Sequence, residues 1–217
     1  MIRFEKVSQI LKRSIAAGVM ISIGAVAKLC CSNQIVGNFL FSIGLFFICV
    51  SKELLFTGRI GYINNKNRSE YPLIWTGNLI GCVISMILIR TAKPELISAA
   101  STIMDAKVET DIVSLSTLAL FCGVLMFLAV DNFNPASSGT LKALGIVIAV
   151  MAFLMSGFEH SIANMAYSVL YISNFNDVIQ CLKVVIISTI FNAAGSITMK
   201  GLLRSNQMIV ENVRGEE

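Results

Sequence analysis

The chain has 217 residues, of which 55% are hydrophobic and only 14% charged, with a mean hydropathy of +0.76. Soluble domains carry about a quarter charged residues, so this composition excludes a water-soluble globular domain. The net charge of +4 comes without a basic stripe interleaved with aromatics, which excludes a nucleic-acid footprint.

Six apolar segments succeed one another, near 14–31, 35–57, 71–91, 112–130, 141–170 and 178–200. Each is long enough for a hydrocarbon core that needs roughly 20 helical residues. Arg3, Glu5, Lys6, Lys12 and Arg13 precede the first segment without a signal-peptide cleavage pattern. Lys28, near its far end, is expected to snorkel to the interface. The second segment is interrupted by "SKELLFTGRIG" (51–61), and Arg59, Lys66 and Arg68 lie in or just after that interruption. The third carries "TGNLIG" (76–81) and leads into a mixed-charge loop from Arg90 to Asp111. The polar stretch "DNFNPASSGT" after the fourth holds one Asn-Pro-Ala at 134–136, similar to the water-channel signature. That signature needs two copies in the membrane, so a turn is expected here.

The fifth segment is too long for one span, and "MSGFEHSIAN" (155–164) interrupts it; the sixth carries "IFNAAG" (190–195). Lys200, Arg204 and Arg214 come after it. The positive-inside rule then places both termini in the cytoplasm, as an even number of spans requires. The six cysteines (30, 31, 49, 82, 122, 181) lack metal-ligand spacing and read as small hydrophobes. No cofactor motif is evident.

The halves on either side of residue 110 echo each other. Each has one glycine-interrupted span, and each has Asn-x-x-Gly in its third apolar helix, at Asn78 and Asn192. Three spans and then three more give an inverted repeat, about 14–92 and 110–200, within a single transmembrane domain spanning 1–217. That is the plan of many channels and transporters. Broken helices can aim free N–H and C=O groups at a permeant without exposing them to lipid. The only histidine, His160, sits beside Glu159 in the second interruption. An ionisable pair at membrane depth costs a few kcal/mol even on lenient insertion scales. An intramembrane enzyme built on this pair would need a nucleophile, a metal or a second titrating group converging on it. There is no second histidine, no paired aspartate within a span and no Gly-x-Ser-x-Gly. A channel or transporter is the better reading, and an enzyme is not expected.

The motifs "AAGVMISIG" (16–24), "ELLFTG" (53–58), "WTGNLIG" (75–81), "LAV" (128–130), "SGFEHSIANM" (156–165) and "FNAAG" (191–195) resemble, in order and spacing, the formate/nitrite transporter family, which includes hydrosulfide channels. The resemblance implies a homopentamer in the bacterial cytoplasmic membrane. Its protomers would have six spans and an aquaporin-like all-α fold with helices 2 and 5 broken, each with its own pore. By position it implies a central histidine at His160, with Thr57 and Asn192 as polar neighbours and Lys107 near the outer mouth. Apolar constrictions fall on Phe41, Leu45, Leu55, Phe56 and Phe153. Gly123 stands in "CGVLMFLAV" where formate and nitrite members usually have asparagine, which implies a pore less polar at its middle.

The implied substrate is a small monovalent weak-acid anion, formate first, with hydrosulfide or nitrite as the alternative. Lys107 would attract it by Coulomb force. His160 could bind the anion or help protonate it, because histidine switches charge near neutral pH. Adjacent helical residues face about 100° apart, so Glu159 is expected to point away from the pore and bond backbone groups of the break. Glu53 and Asn78 are read as structural residues near the pore.

Overall fold

The computed structural model describes residues 4–131 and 139–214, with 204–214 described as backbone only. Nine α-helices and no strand occur among the described residues. They are α1 (Phe4–Leu29), α2 (Gln34–Val50), α3 (Phe56–Arg59), α4 (Tyr71–Ala92), α5 (Leu96–Glu109), α6 (Ile112–Asp131), α7 (Gly139–Met155), α8 (Ser161–Tyr171) and α9 (Phe175–Arg214). Stretches of α1, α4, α6 and α9 are long and apolar enough to cross a membrane; α2 and α7 are shorter apolar helices. The turn expected at Asn134-Pro135-Ala136 lies outside the described residues. The Arg90–Asp111 stretch, read as a loop, contains α5, which packs on α8.

Helix packing depends on small residues. α1 buries Ser14, Ala17, Gly18, Ile21, Ser22 and Ala25, a stripe at helical spacing, and α4 answers with Gly77, Asn78, Gly81 and Cys82. Lipid tails are as apolar as leucine, so close backbone approach and buried hydrogen bonds must hold the helices together. The approach is tight: a Cβ on Gly18 would strike the Asn78 carbonyl oxygen, and one on Gly81 the Ile15 carbonyl oxygen. The α6–α9 pair repeats this contact with Gly123 on the Asn192 carbonyl and Gly195 on the Leu120 carbonyl. Gly123 is therefore a helix-crossing residue that also offers its carbonyl to Ser196 Oγ at 2.9 Å. No asparagine side chain has room there in this packing.

Two interruptions share one design. α2 ends with Lys52 at φ 58°, where the Glu53 N–H donates to the Ile48 carbonyl (2.9 Å) and the Lys52 N–H to the Cys49 carbonyl (3.2 Å). α7 ends with Gly157 at φ 67°, where the Phe158 N–H donates to the Phe153 carbonyl (2.9 Å) and the Gly157 N–H to the Leu154 carbonyl (3.4 Å). Both are Schellman ends, which close a helix through one left-handed residue. Beyond each end, an asparagine pins the next helix. Asn78 Oδ1 accepts from the Phe56 N–H (2.8 Å), and its Nδ2 donates to the Ser14 and Leu54 carbonyls (2.8 Å each). Asn192 Oδ1 accepts from the Ser161 N–H (2.9 Å), and its Nδ2 donates to the Ala119 (2.7 Å) and Glu159 (2.8 Å) carbonyls. Arg90 Nη1 covers the far end of α8, donating to the Val169, Leu170 and Ile172 carbonyls at 2.9–3.0 Å.

Beyond the interruptions the two halves diverge. α3 is a single turn that passes into a 3₁₀ turn at Ile60–Tyr62, whereas α8 runs on to Tyr171. Glu53 lies at the first break with its carboxylate 3.7 Å from Arg13 Nε, and Arg13 also donates to the Lys52 carbonyl.

These contacts set stability. Asn192→Asp would turn a carboxylate oxygen onto two buried carbonyls and is expected to cost about 3–5 kcal/mol. Gly123→Ala should cost about 1–3 kcal/mol by forcing α6 and α9 apart. Lys52→Gly removes a left-handed non-glycine residue and should gain about 1 kcal/mol. Thermal unfolding of the purified protein in detergent reads all three, with the signs negative, negative and positive.

Candidate functional site

His160 is the N-cap of α8, with extended backbone (φ −95°, ψ 114°), and is 2% exposed. Its Nδ1 accepts from the Ala163 N–H at 3.1 Å, so the ring itself caps the helix. Its Nε2 lies 2.7 Å from Thr57 Oγ1, on the one-turn helix after the first break. With Nδ1 accepting, the neutral ring carries its proton on Nε2 and donates to the threonine hydroxyl. A second proton on Nδ1 would face the Ala163 N–H at the positive end of α8. The hydrogen bonding thus holds His160 as a neutral N–H donor. Thr57 and Asn192 are both fully buried, and Asn192 fixes the backbone on either side of His160 rather than the imidazole.

The apolar residues cluster on one side of this pair. The Phe153 ring lies 5.7 Å from the imidazole, and the Phe41 ring meets Phe153 edge-on at 6.0 Å. Leu45 and Leu55 are buried with them, and Phe56 packs edge-on against Tyr71. Leu55 precedes the Phe56 N–H that Asn78 binds, just as His160 precedes the Ser161 N–H that Asn192 binds. The two breaks therefore present a leucine and a histidine at matching positions.

Two cavities flank the cluster. One, of about 430 Å³, reaches Phe153 and His160 and is lined also by Lys28, Gln34, Lys107, Glu159, Asn164 and Tyr167. The other, of about 210 Å³, reaches Leu55 and is lined by Arg13, Lys52, Glu53 and Arg59. Lys28 and Arg13 lie about 22 Å apart along α1, so the cavities open toward opposite ends of the bundle.

Lys107 and Glu159 form an ion pair of 2.5 Å with side chains only 15% and 7% exposed. Asn164 Nδ2 donates to the same carboxylate oxygen at 2.9 Å. Glu159 thus bonds two side chains, whereas backbone partners were expected; its own backbone carbonyl is the group that Asn192 holds. The charge of Lys107 is compensated by this carboxylate. Lys28, expected to snorkel, lines the larger cavity. Cys49, Cys82, Cys122 and Cys181 are buried as expected, whereas Cys30 is exposed. Sequence reasoning missed Asn164 and Tyr167, although "SIANMAY" carries both at helical spacing from His160.

The formate/nitrite transporter family model matches residues 3–206. The nitrite transporter NirC of Salmonella typhimurium is 27% identical over 139 residues, 58% of this chain and 51% of that protein. The formate channel FocA of Escherichia coli is 28% identical over 177 residues, 70% of this chain and 62% of that protein. The matched part is thus half to three fifths of each relative. A solved pentameric formate channel with formate bound has a TM-score of 0.81 at 21% identity, covering 94% of this chain and 98% of that one. A solved ion channel of the same family also has a TM-score of 0.81, at 23% identity, covering 92% and 90%. With a helical bundle of this fold and a family match over nearly its whole length, the chain is a member of the formate/nitrite transporter family.

Proposed function

We propose that the protein is a transmembrane channel for small monovalent weak-acid anions, formate first, in which passage is linked to a proton. The observation that carries this reading is the buried His160–Thr57 contact at the floor of a polar vestibule, backed by an apolar cluster. Formate and nitrite are the substrates named for the relatives FocA and NirC. The whole chain is one channel domain. Its six spans form an inverted 3+3 repeat, a reading supported by the matched asparagine clasps and Schellman ends. The assembly is a homopentamer in the bacterial cytoplasmic membrane with both termini cytoplasmic. The Arg13 cavity then faces the cytoplasm and the Lys28 cavity the outside.

A bare anion entering this apolar cluster would lose hydration worth many kcal/mol. The vestibule instead delivers it to the Thr57 hydroxyl, whose O–H donates to the anion while its oxygen accepts from the Nε2–H of His160. A carboxylic acid of this kind titrates near pKa 4 in water, and desolvation raises that by a few units. The anion takes a proton from vestibule water, crosses Phe153, Phe41, Leu45 and Leu55 as a neutral acid, and releases the proton in the opposite cavity. His160 stays neutral throughout, because its cap leaves no place for a second proton. Lys107 is held by Glu159, and the pair leaves little net charge at the vestibule floor.

Flux of formate into proteoliposomes should rise as pH falls, with little current per substrate. His160→Asn keeps a side chain that can cap α8 but cannot also reach Thr57. It is expected to lower flux about 10- to 100-fold at every pH, the effect of leaving the buried Thr57 hydroxyl without its partner, with the pH profile retained. A flattened profile would make His160 the proton donor and overturn its assignment as a fixed neutral group. Native mass spectrometry should show five copies; a monomer alone would contradict the assembly.

A further inference from the structure

The larger vestibule has a charge balance that the His160 site does not use. Its charged lining consists of Lys28 from α1, Lys107 from α5 and Glu159 from the second break, with His160 held neutral by its cap. Lys107 and Glu159 are committed to each other at 2.5 Å. That leaves one positive charge, on Lys28, whose side chain has no ion pair or hydrogen bond among the described residues. Tyr167 lines the same space. It is 3% exposed, and its hydroxyl has no hydrogen-bond partner among the described residues. A buried phenol without a partner is costly unless something is meant to meet it.

Tyr167 is seven positions beyond His160 on the α8 side, about 10 Å along the axis. Lys28 lies at the end of α1 nearest α2, where Gln34 joins the lining. Both groups therefore stand farther out in the vestibule than the imidazole. We infer that Lys28 and the Tyr167 hydroxyl form an anion-capture subsite, one step ahead of His160, for a small monovalent anion that accepts hydrogen bonds. The ammonium supplies the attraction and the phenol one O–H donor. Lys107 is then a positioning residue for Glu159 rather than the capturing charge. This inference rests on the channel reading above and adds to it the place where the anion is first held.

The test is the initial rate of formate uptake into proteoliposomes as a function of formate concentration, at low and high salt. Lys28→Gln should raise KM about three- to tenfold at low salt and leave the maximal rate within about twofold, as expected for one partly screened charge. At about 1 M salt, where the Debye length is about 3 Å, the difference should vanish. Lys28→Arg should restore the wild-type KM. Tyr167→Phe should raise KM about two- to fivefold without changing the salt dependence. If Lys28→Gln and Tyr167→Phe both keep the wild-type KM and salt response while formate still flows, the capture subsite is wrong and the channel reading survives. A wild-type protein that passes no small anion removes both.

Should a variant fail to assemble, the wild-type protein is acetylated on its amines in the presence of formate or of uncharged formamide. Slower acetylation of Lys28 with formate alone supports the subsite; equal rates overturn it.

Discussion

A helix that ends inside an apolar bundle must satisfy the backbone groups it frees, and this constraint organises the molecule. Each pair of new helix ends exposes several N–H and C=O groups, and each left unpaired in hydrocarbon costs several kcal/mol. Asn78 and Asn192 meet the constraint with one side chain apiece. Each accepts from the first N–H after the break and donates to one carbonyl before it and another on a neighbouring helix. The amide is suited to this because it offers an acceptor and two donors without a charge to desolvate. Leucine could pair with none of these groups, and aspartate could not donate.

The glycine contacts serve the same clasp. An asparagine side chain is short, so its own helix must approach closely for the amide to reach the break. Gly18 and Gly81 permit that for Asn78, and Gly123 and Gly195 for Asn192. Packing and hydrogen bonding are thus one device: separating the helices by the width of a methyl group would lengthen every bond the asparagines make. The placement of Thr57 against His160 depends on both clasps, since each residue stands within two positions of a clasped N–H.

Having built two similar breaks, the chain uses them differently. Leu55 stands at one and His160 at the other, so matching positions differ in polarity. The Lys107–Glu159 pair adds a buried ionic contact beside the histidine. Burying two opposite charges costs several kcal/mol per ion before their attraction offsets it, and a third partner, Asn164, helps by bonding the carboxylate. Such a pair contributes little to net stability, but it removes most of the net charge of Lys107 and Glu159 from the vestibule floor.

Hydropathy alone determined the membrane class, because the number of apolar residues needed to cross a bilayer is set by its thickness. The motif order from "ELLFTG" through "SGFEHSIANM" to "FNAAG" pointed to the family, since those residues are local in the chain. The two Asn-x-x-Gly echoes were visible too, but not their task, because the N–H and C=O groups they bind belong to other segments. The packing task of Gly123 was hidden for the same reason: the helix it crosses, α9, belongs to a distant segment. Helix α5 escaped notice because a mixed-charge connection between spans resembles a loop in composition. The partnering of Lys107 with Glu159, the neutral cap role of the His160 ring, and the turn of Lys28 into the vestibule were decided only by the tertiary structure. Each depends on which distant charges and carbonyls come within about 3 Å, a distance that sequence spacing does not encode.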